Sequence, residues 1–245
     1  MKEEYSMNSF TFSYPTKVYF GEGSAAQAFR TELRKKGKTV LLAYGGGSIK
    51  KNGVYDEVME SLSKARKNVI EFSGITANPT YAKVLEGAKV AREHKVDFIL
   101  AVGGGSVMDA AKLASILSTD RYSVHDLLDE PTLGRKFVKT VMIPTTAGTG
   151  AEATPNAIVA VPEKELKIGI VNEEMIADYV ILDVRMVAKL PRKIAAATGV
   201  DALAHAIECW TSNKANPFSG LFAMHALDLL LNNLLPACNE QDMQA

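Results

Sequence analysis

Cysteine is scarce in this 245-residue sequence, which contains only Cys209 and Cys238. Two cysteines form neither a disulfide framework nor the paired spacing of a structural zinc site. A reducing, cytoplasmic location is therefore expected.

An excess of charge of either sign is also absent. Lys and Arg together number 28, as do Asp and Glu, so the formal net charge at pH 7 is +0. Nucleic-acid-binding proteins usually carry a basic excess or a basic stripe, so no nucleic-acid partner is expected.

Long apolar runs are missing too. No run approaches the roughly 20 apolar residues that span a bilayer. The opening MKEEYSMNSF has acids where a signal peptide carries positive charge, and no apolar core follows it. The sequence therefore predicts neither a leader nor a membrane partner.

Short β-rich runs alternate with helical patterns over residues 1–190, which is typical of an α/β domain with a parallel sheet. The predicted strands are Lys17–Phe20, Thr39–Tyr44, Asn68–Phe72, Asp97–Val102 and Val138–Pro144. The predicted helices are Ser24–Lys36, Tyr55–Arg66, Thr80–His94 and Val107–Leu117.

The pattern changes at residue 191, where Pro191 suits a helix start. Two helices are predicted beyond it, Lys193–Thr211 and Phe218–Leu235. The second is too rich in leucine for one amphipathic stripe, so it requires partners on several sides. Residues 191–245 are therefore expected to be the first helices of an incomplete helical domain.

Two predicted strands end in the same four residues, GGGS, at 45–48 and 103–106. Glycine permits a tight turn and close approach to a ligand, and a helix N-terminus attracts phosphate. Asp109 falls in the first turn of the helix after the second loop. The spacing is not GxGxxG, so plain tight turns with Asp109 as a cap are the alternative. Two such loops favour a nucleotide-type ligand.

A third strand end reads PTTAGTGAEAT and offers the hydroxyls of Thr145, Thr146 and Thr149. Ligands of open α/β sheets bind outside the carboxyl ends of the strands. This segment is therefore predicted to line the same site, and a Thr/Gly loop without a ligand is the alternative.

Asp201 and His205 lie four residues apart in GVDALAHAIECW, on one face of a predicted apolar helix. A desolvated carboxylate needs compensation, which a divalent cation supplies. The alternative is a weak surface ion pair. Two ligands do not complete a metal site, since three or four protein ligands are usual.

These motifs resemble the iron-containing (group III) alcohol dehydrogenase family, particularly its NAD(P)H-dependent butanol dehydrogenase branch. The matching segments are YGGGSIKKNGVYD, ANPT at 77–80, GGGSVMDAAK, IPTTAGTGAEAT and LPRKIAAATGVDALAHAIE. Glycerol dehydrogenase and dehydroquinate synthase are similar at greater distance. The resemblance implies a Rossmann-like dinucleotide-binding domain over 1–190, followed from 191 by the start of an all-helical domain, the dehydroquinate synthase-like fold.

The resemblance also implies site residues. The cofactor would be bound by Gly45, Gly46, Gly47, Ser48, Asn78, Gly103, Gly104, Gly105, Ser106, Asp109, Thr145, Thr146, Thr149 and Lys167. Of these, 103–106 would hold the pyrophosphate. Asp201 and His205 match the first two metal ligands, and the family's two later histidines do not occur in these 245 residues.

The activity implied is metal-dependent hydride transfer between NAD(P)H and a small aliphatic alcohol or aldehyde, such as butanol or butyraldehyde. The metal would be Fe²⁺, with Zn²⁺ as an alternative, acting as a Lewis acid. Lys50 and Lys51, rather than an acid, follow the 39–44 strand, which favours NADP(H) over NAD(H).

Two other functions stay open: a nucleotide-binding module without catalysis, and a relative of glycerol dehydrogenase or dehydroquinate synthase. A homodimer through the N-terminal strand is compatible with all of these functions.

Overall fold

The structure is a computed structural model that describes residues 9–119, 121–188 and 190–239. The chain forms two compact units. The larger comprises Pro15–Thr146 and Gly150–Lys189. The smaller comprises Leu190–Ala245 together with Met1–Tyr14 and Ala147–Thr149.

A six-stranded sheet forms the centre of the larger unit in the described residues, and all its strand pairs are parallel. Its strands are β1 (Lys17–Phe20), β2 (Thr39–Tyr44), β3 (Asn68–Phe72), β4 (Phe98–Gly103), β5 (Lys139–Pro144) and β8 (Tyr179–Leu182). Their spatial order is β1-β8-β5-β4-β2-β3. Every residue of β4 is buried, as expected for a parallel strand covered on both faces.

Helices cover both faces of this sheet. The helices of the larger unit are α1 (Ser24–Arg30), α2 (Glu32–Lys35), α3 (Ser48–Lys51), α4 (Val54–Lys64), α5 (Tyr81–Glu93), α6 (Gly105–Leu117), α7 (Val124–Asp129) and α8 (Val184–Val187). One hydrophobic core joins the sheet to α1, α2, α3, α4 and α8, and the other joins it to α5, α6 and α7. Alternate β2 residues enter opposite cores, with Leu41 in one and Leu42 in the other.

An antiparallel hairpin of β6 (Asn156–Val161) and β7 (Leu166–Val171) lies outside the main sheet. The Ala160 N–H donates to the Pro79 carbonyl at 2.9 Å, which ties the hairpin to the segment before α5. Neither this hairpin nor β8 was predicted from the sequence. The strand β8 has only four residues, and its place between β1 and β5 depends on long-range pairing.

The strands β1, β2 and β3 have the predicted bounds, and the other predicted elements are present with shifted ends. The exception is the single helix predicted over Ser24–Lys36, which is wrong. The helix is interrupted at Thr31, whose φ and ψ are −101° and −100°. Helix α1 ends before this residue and α2 begins after it. No glycine or proline marks this break in the sequence.

The smaller unit contains α9 (Arg192–Thr211) and α10 (Pro217–Asn239), which pack on each other. The contact is close at Gly199, where an added Cβ would lie 2.2 Å from Leu234 Cδ1. Phe12 packs on Phe218 with ring centroids 4.5 Å apart.

Helix α10 is long and apolar enough to cross a membrane, and only 11% of its most apolar 18-residue segment is buried. This corrects the expectation that no apolar segment approaches spanning length. Leucines on several sides give this helix its high hydropathy although Asp228 and two asparagines interrupt the apolar run. A core helix of a soluble protein meets the same criteria of length and composition.

Candidate functional site

The two GGGS loops leave the sheet side by side. They follow the neighbouring strands β2 and β4, in which Tyr44 is the register partner of Val102. The helix α4 after the first loop packs on one face of the sheet, and α6 after the second packs on the other. The strand order reverses at this point, and open α/β sheets bind ligands in such a crevice.

The backbone of the 103–106 loop lies close to neighbouring side chains. A Cβ added to Gly103 would lie 2.6 Å from Val107 Cγ2, and one on Gly104 would lie 3.1 Å from Thr146 Oγ1. Helix α6 begins at Gly105, and the Val107 N–H donates to the carbonyl of the N-cap residue Gly104 at 3.0 Å. The first N–H groups of a helix have no partner one turn earlier in the helix, and they lie at its positive end. These features fit a pyrophosphate bound at the start of α6.

The 45–48 loop is more open. An added Cβ on Gly46 would meet no atom within 4 Å, whereas Gly47 has a φ of 104° that favours glycine. The Gly45 carbonyl accepts a hydrogen bond from the Gly74 N–H at 3.1 Å, which anchors the loop. The exposed Ser48 begins α3. The space above Gly46 leaves room for a ligand.

Three further predicted residues lie around the second loop. The Asn78 N–H donates to Ser106 Oγ at 3.2 Å, and Asn78 has a left-handed φ of 54°. The Thr145 N–H donates to the Gly103 carbonyl at 3.0 Å, and Thr146 follows it. The fold therefore brings Asn78, Thr145 and Thr146 together with the 103–106 loop.

The other predicted cofactor residues have different surroundings. The Asp109 carboxylate is largely buried and accepts a hydrogen bond from the Ile158 N–H at 3.1 Å. Burial raises the pKa of Asp109. Lys167 is exposed on β7, opposite Ala160, and Thr149 belongs to the smaller unit.

Lys112 was not singled out from the sequence, yet it is fully buried in α6. Its Nζ donates to the Thr154 carbonyl at 2.9 Å, the Asn156 carbonyl at 2.8 Å and Thr154 Oγ1 at 3.2 Å. Burial lowers the pKa of Lys112 to about 8. A lysine within the apolar run after Asp109 was the available signal.

Four side chains form a cluster at the end of β2, and only one of them, Lys50, was singled out from the sequence. The Glu71 carboxylate accepts hydrogen bonds from Tyr44 and, at 2.7 Å, from Tyr55. The ammonium of Lys50 lies 3.4 Å from the same carboxylate and over both tyrosine rings. The Tyr44 and Tyr55 hydroxyls hold the pKa of Glu71 below its usual value.

Asp201 and His205 project from one face of α9, with Asp201 Oδ1 3.9 Å from His205 Nε2. Their side chains are 47% and 54% exposed, so the expectation that Asp201 is desolvated is wrong for the described residues. A carboxylate and an imidazole suit Fe²⁺ or Zn²⁺ as two of its ligands. Within 9–119, 121–188 and 190–239, no group of three His, Cys, Asp or Glu could hold a metal.

Comparison with known proteins identifies matching families and relatives. A family model described as iron-containing alcohol dehydrogenase matches residues 15–184, and its C-terminal counterpart matches residues 195–245. NADH-dependent butanol dehydrogenase A of Clostridium acetobutylicum is 32% identical over 95% of this chain and 58% of its own length. NADPH-dependent butanol dehydrogenase of Clostridium saccharobutylicum is 32% identical over 91% of this chain and 57% of its own length.

Solved structures are similar as well. NADH-dependent butanol dehydrogenase A from Thermotoga maritima has a TM-score of 0.88 at 29% identity, covering 98% of this chain and 61% of that one. The alcohol dehydrogenase from Oenococcus oeni has a TM-score of 0.90 at 26% identity, covering 96% and 62%. The chain thus spans less than two thirds of each of these relatives.

Proposed function

Because this chain belongs to the iron-containing alcohol dehydrogenase family, we propose that it binds NADP(H) in preference to NAD(H) and serves alcohol–aldehyde oxidoreduction. The proposed substrates are small aliphatic alcohols or aldehydes, such as butanol and butyraldehyde.

The adjacent placement of the two GGGS loops supports this proposal most directly. The loops follow paired strands, and the helices after them pack on opposite faces of the sheet. The 103–106 loop and the start of α6 would hold the pyrophosphate, because backbone N–H groups and the helix dipole favour an anion there. The open surface over Gly46 would accommodate the adjoining part of the cofactor.

Charge near the end of β2 supports the preference for NADP(H). No acid occurs in the 45–48 loop. The Glu71 carboxylate accepts hydrogen bonds from Tyr44 and Tyr55 and lies 3.4 Å from the Lys50 ammonium, so its oxygens are already occupied and it is not a free acid for a ribose 2′-hydroxyl. The Lys50 ammonium would attract the additional 2′-phosphate of NADPH.

Asp201 and His205 would contribute two ligands to a divalent cation, Fe²⁺ or Zn²⁺. They present a carboxylate and an imidazole one helical turn apart on α9. When bound, the nicotinamide supplies hydride chemistry and the cation supplies Lewis acidity.

Cofactor binding is tested by titrating the 245-residue chain with NADPH and with NADH and following nicotinamide fluorescence. We expect tighter binding of NADPH. Lys50→Met should reduce that preference, whereas the matched control Lys51→Met, at an exposed neighbouring residue of α3, should retain it. Equal or tighter binding of NADH would overturn the proposed preference, and binding of neither would overturn the nucleotide site.

Catalysis is tested by following NADPH oxidation with butyraldehyde in the presence of Fe²⁺ or Zn²⁺. We expect oxidation that requires the metal and is lost in His205→Ala. NADPH binding without oxidation would favour a nucleotide-binding module without catalysis, since the described residues contain no third ligand beside Asp201 and His205.

A homodimer through β1 is also part of the proposal. This strand lies at one edge of the sheet, and Phe20 at its end is 83% exposed. An unpaired strand edge can pair with a second copy of itself. Light scattering after size-exclusion chromatography should give a dimer mass, and a monomer mass at all concentrations would remove this part of the proposal.

A further inference from the structure

We propose that Lys112 is a positioning residue for the cofactor: it fixes α6 against residues 154–158 so that the amino end of the helix stays directed at the pyrophosphate. This inference rests on the proposed function, because it concerns the same nucleotide site. Lys112 lies two turns into α6 and does not itself belong to the 103–106 loop.

The burial of Lys112 requires an explanation. Its side chain is 0% exposed, and a buried ammonium is costly unless it is well hydrogen-bonded. Its three acceptors all belong to Thr154 and Asn156, more than 40 residues away in the chain. A leucine or methionine would fill the same space but would leave the Thr154 and Asn156 carbonyls without this donor, so the lysine is explained by the connection it makes.

That connection lies on the helix face that begins at the proposed phosphate site. Gly105, Asp109 and Lys112 occupy positions i, i+4 and i+7 and therefore share one face of α6. Asp109 accepts from the Ile158 N–H at 3.1 Å, and Lys112 donates to the Asn156 carbonyl at 2.8 Å. Two attachments one turn apart, to one short segment, restrict both the position and the tilt of the helix.

The charges around Lys112 make this connection sensitive to pH. The charged groups that act on it are Asp109 of its own helix and Glu152 of the turn Ala151–Ala153. Burial raises the pKa of both carboxyls and lowers the pKa of Lys112 to about 8. As pH rises through that value, Lys112 loses its charge and its hydrogen bonds weaken. NADPH affinity should therefore decrease above pH 8.

The test compares Lys112→Met with Lys67→Met. Lys67 is a matched control, since its Nζ also donates to three carbonyls, those of Arg34, Lys36 and Gly37. It lies just before the amino end of β3, whereas the GGGS loops follow the carboxyl ends of β2 and β4. Both variants should lose stability, but only Lys112→Met should lose affinity for the cofactor.

We expect Lys112→Met to raise the Kd for NADPH at pH 7 by roughly tenfold, because small displacements of a binding group are costly. The Kd of Lys67→Met should stay within about twofold, as loss of distant packing leaves a site intact. The alkaline decrease in affinity should persist in Lys67→Met and vanish in Lys112→Met. A Kd and pH profile for Lys112→Met that match those of the control would overturn the inference.

If Lys112→Met does not fold, Thr154→Val provides the test, since it removes only the hydroxyl 3.2 Å from Lys112 Nζ. It should weaken NADPH binding by about threefold, the effect of one modest hydrogen bond. Unchanged affinity in this variant, with a flat pH profile in the unaltered chain, would overturn the inference. Failure of the unaltered chain to bind NADPH would instead overturn the proposed function itself.

Discussion

Tyr44 and Val102 are register partners at the carboxyl ends of two adjacent parallel strands, so the glycine loops that follow them emerge together. The helices beyond these loops pack on opposite faces of the sheet, which leaves a crevice between them. The space around the glycines differs between the two loops, so substitutions in the two loops should have different effects.

Gly103→Ala and Gly46→Ala should separate stability from binding. The new Cβ at 103 would lie 2.6 Å from Val107 Cγ2, so we expect the free energy of unfolding to fall by about 1–3 kcal/mol. The Cβ at 46 would enter open space, so stability should be unchanged while NADPH binding weakens roughly tenfold. Urea denaturation and fluorescence titration check both results. Unaltered NADPH binding by Gly46→Ala would place the cofactor away from this loop.

Asp201 and His205 should bind a divalent cation together. We expect isothermal titration with Zn²⁺ to detect a weak site, because two protein ligands are fewer than a closed site uses. Asp201→Ala and His205→Ala should each abolish it, whereas His225→Ala on α10 should not. Retention of the Zn²⁺ site in both α9 variants would show that these residues form only the surface ion pair.

The stability difference between the unaltered chain and Lys112→Met should depend on pH. The folded-state pKa of Lys112 is about 8, below its ordinary value of 10.5, so between these values the unfolded chain binds more protons. The free energy of unfolding of the unaltered chain should therefore rise relative to that of the variant, by roughly 3 kcal/mol in total. Below pH 8 the difference should be constant. Urea denaturation at pH 7, 9 and 10 checks this, and a constant difference across all three contradicts it.

Gly148 should tolerate no side chain. Its φ is 152°, and an added Cβ would lie 2.2 Å from the Thr198 carbonyl oxygen, within the smaller unit. We expect Gly148→Ala to lower the free energy of unfolding by at least about 2 kcal/mol. Gly220→Ala is the control, since its Cβ would lie 3.3 Å from Trp210 and alanine favours a helix by up to about 1 kcal/mol. Equal melting temperatures for the two variants would be inconsistent with the close approach at Thr198.

Much of the fold could be predicted because its main strands are continuous apolar runs. The strand β2, with the sequence TVLLAY, matches its predicted bounds, and Thr80 caps α5 through the Lys83 N–H as its residue type favours. The strand β8 and the hairpin β6–β7 were missed although they are no shorter than β1 and β2. The prediction relied on strands that alternate with helices, and no α-helix lies between β5 and β8 in the described residues.

The candidate site likewise has some features that the sequence predicts and others that depend on the fold. The glycine loops and the Asp201–His205 pair follow from local spacing, since glycine content and the helical period are properties of neighbouring residues. The burial of Lys112 does not follow from local spacing, because a lysine in a sequence is normally assigned to a solvated face. Its acceptors come from residues 154 and 156, and only folding brings them to α6.

The sequence by itself therefore determined the alternation of strands and helices, the two glycine-rich strand ends and the pairing of a carboxylate with an imidazole on one helix face. Only the tertiary structure decided the strand order, which sets β2 beside β4 and so brings the loops together. It also decided that Asp201 is solvated in the described chain and that Lys112 is not. Local periodicity depends on adjacent residues, whereas strand order and burial depend on contacts between residues far apart in the chain.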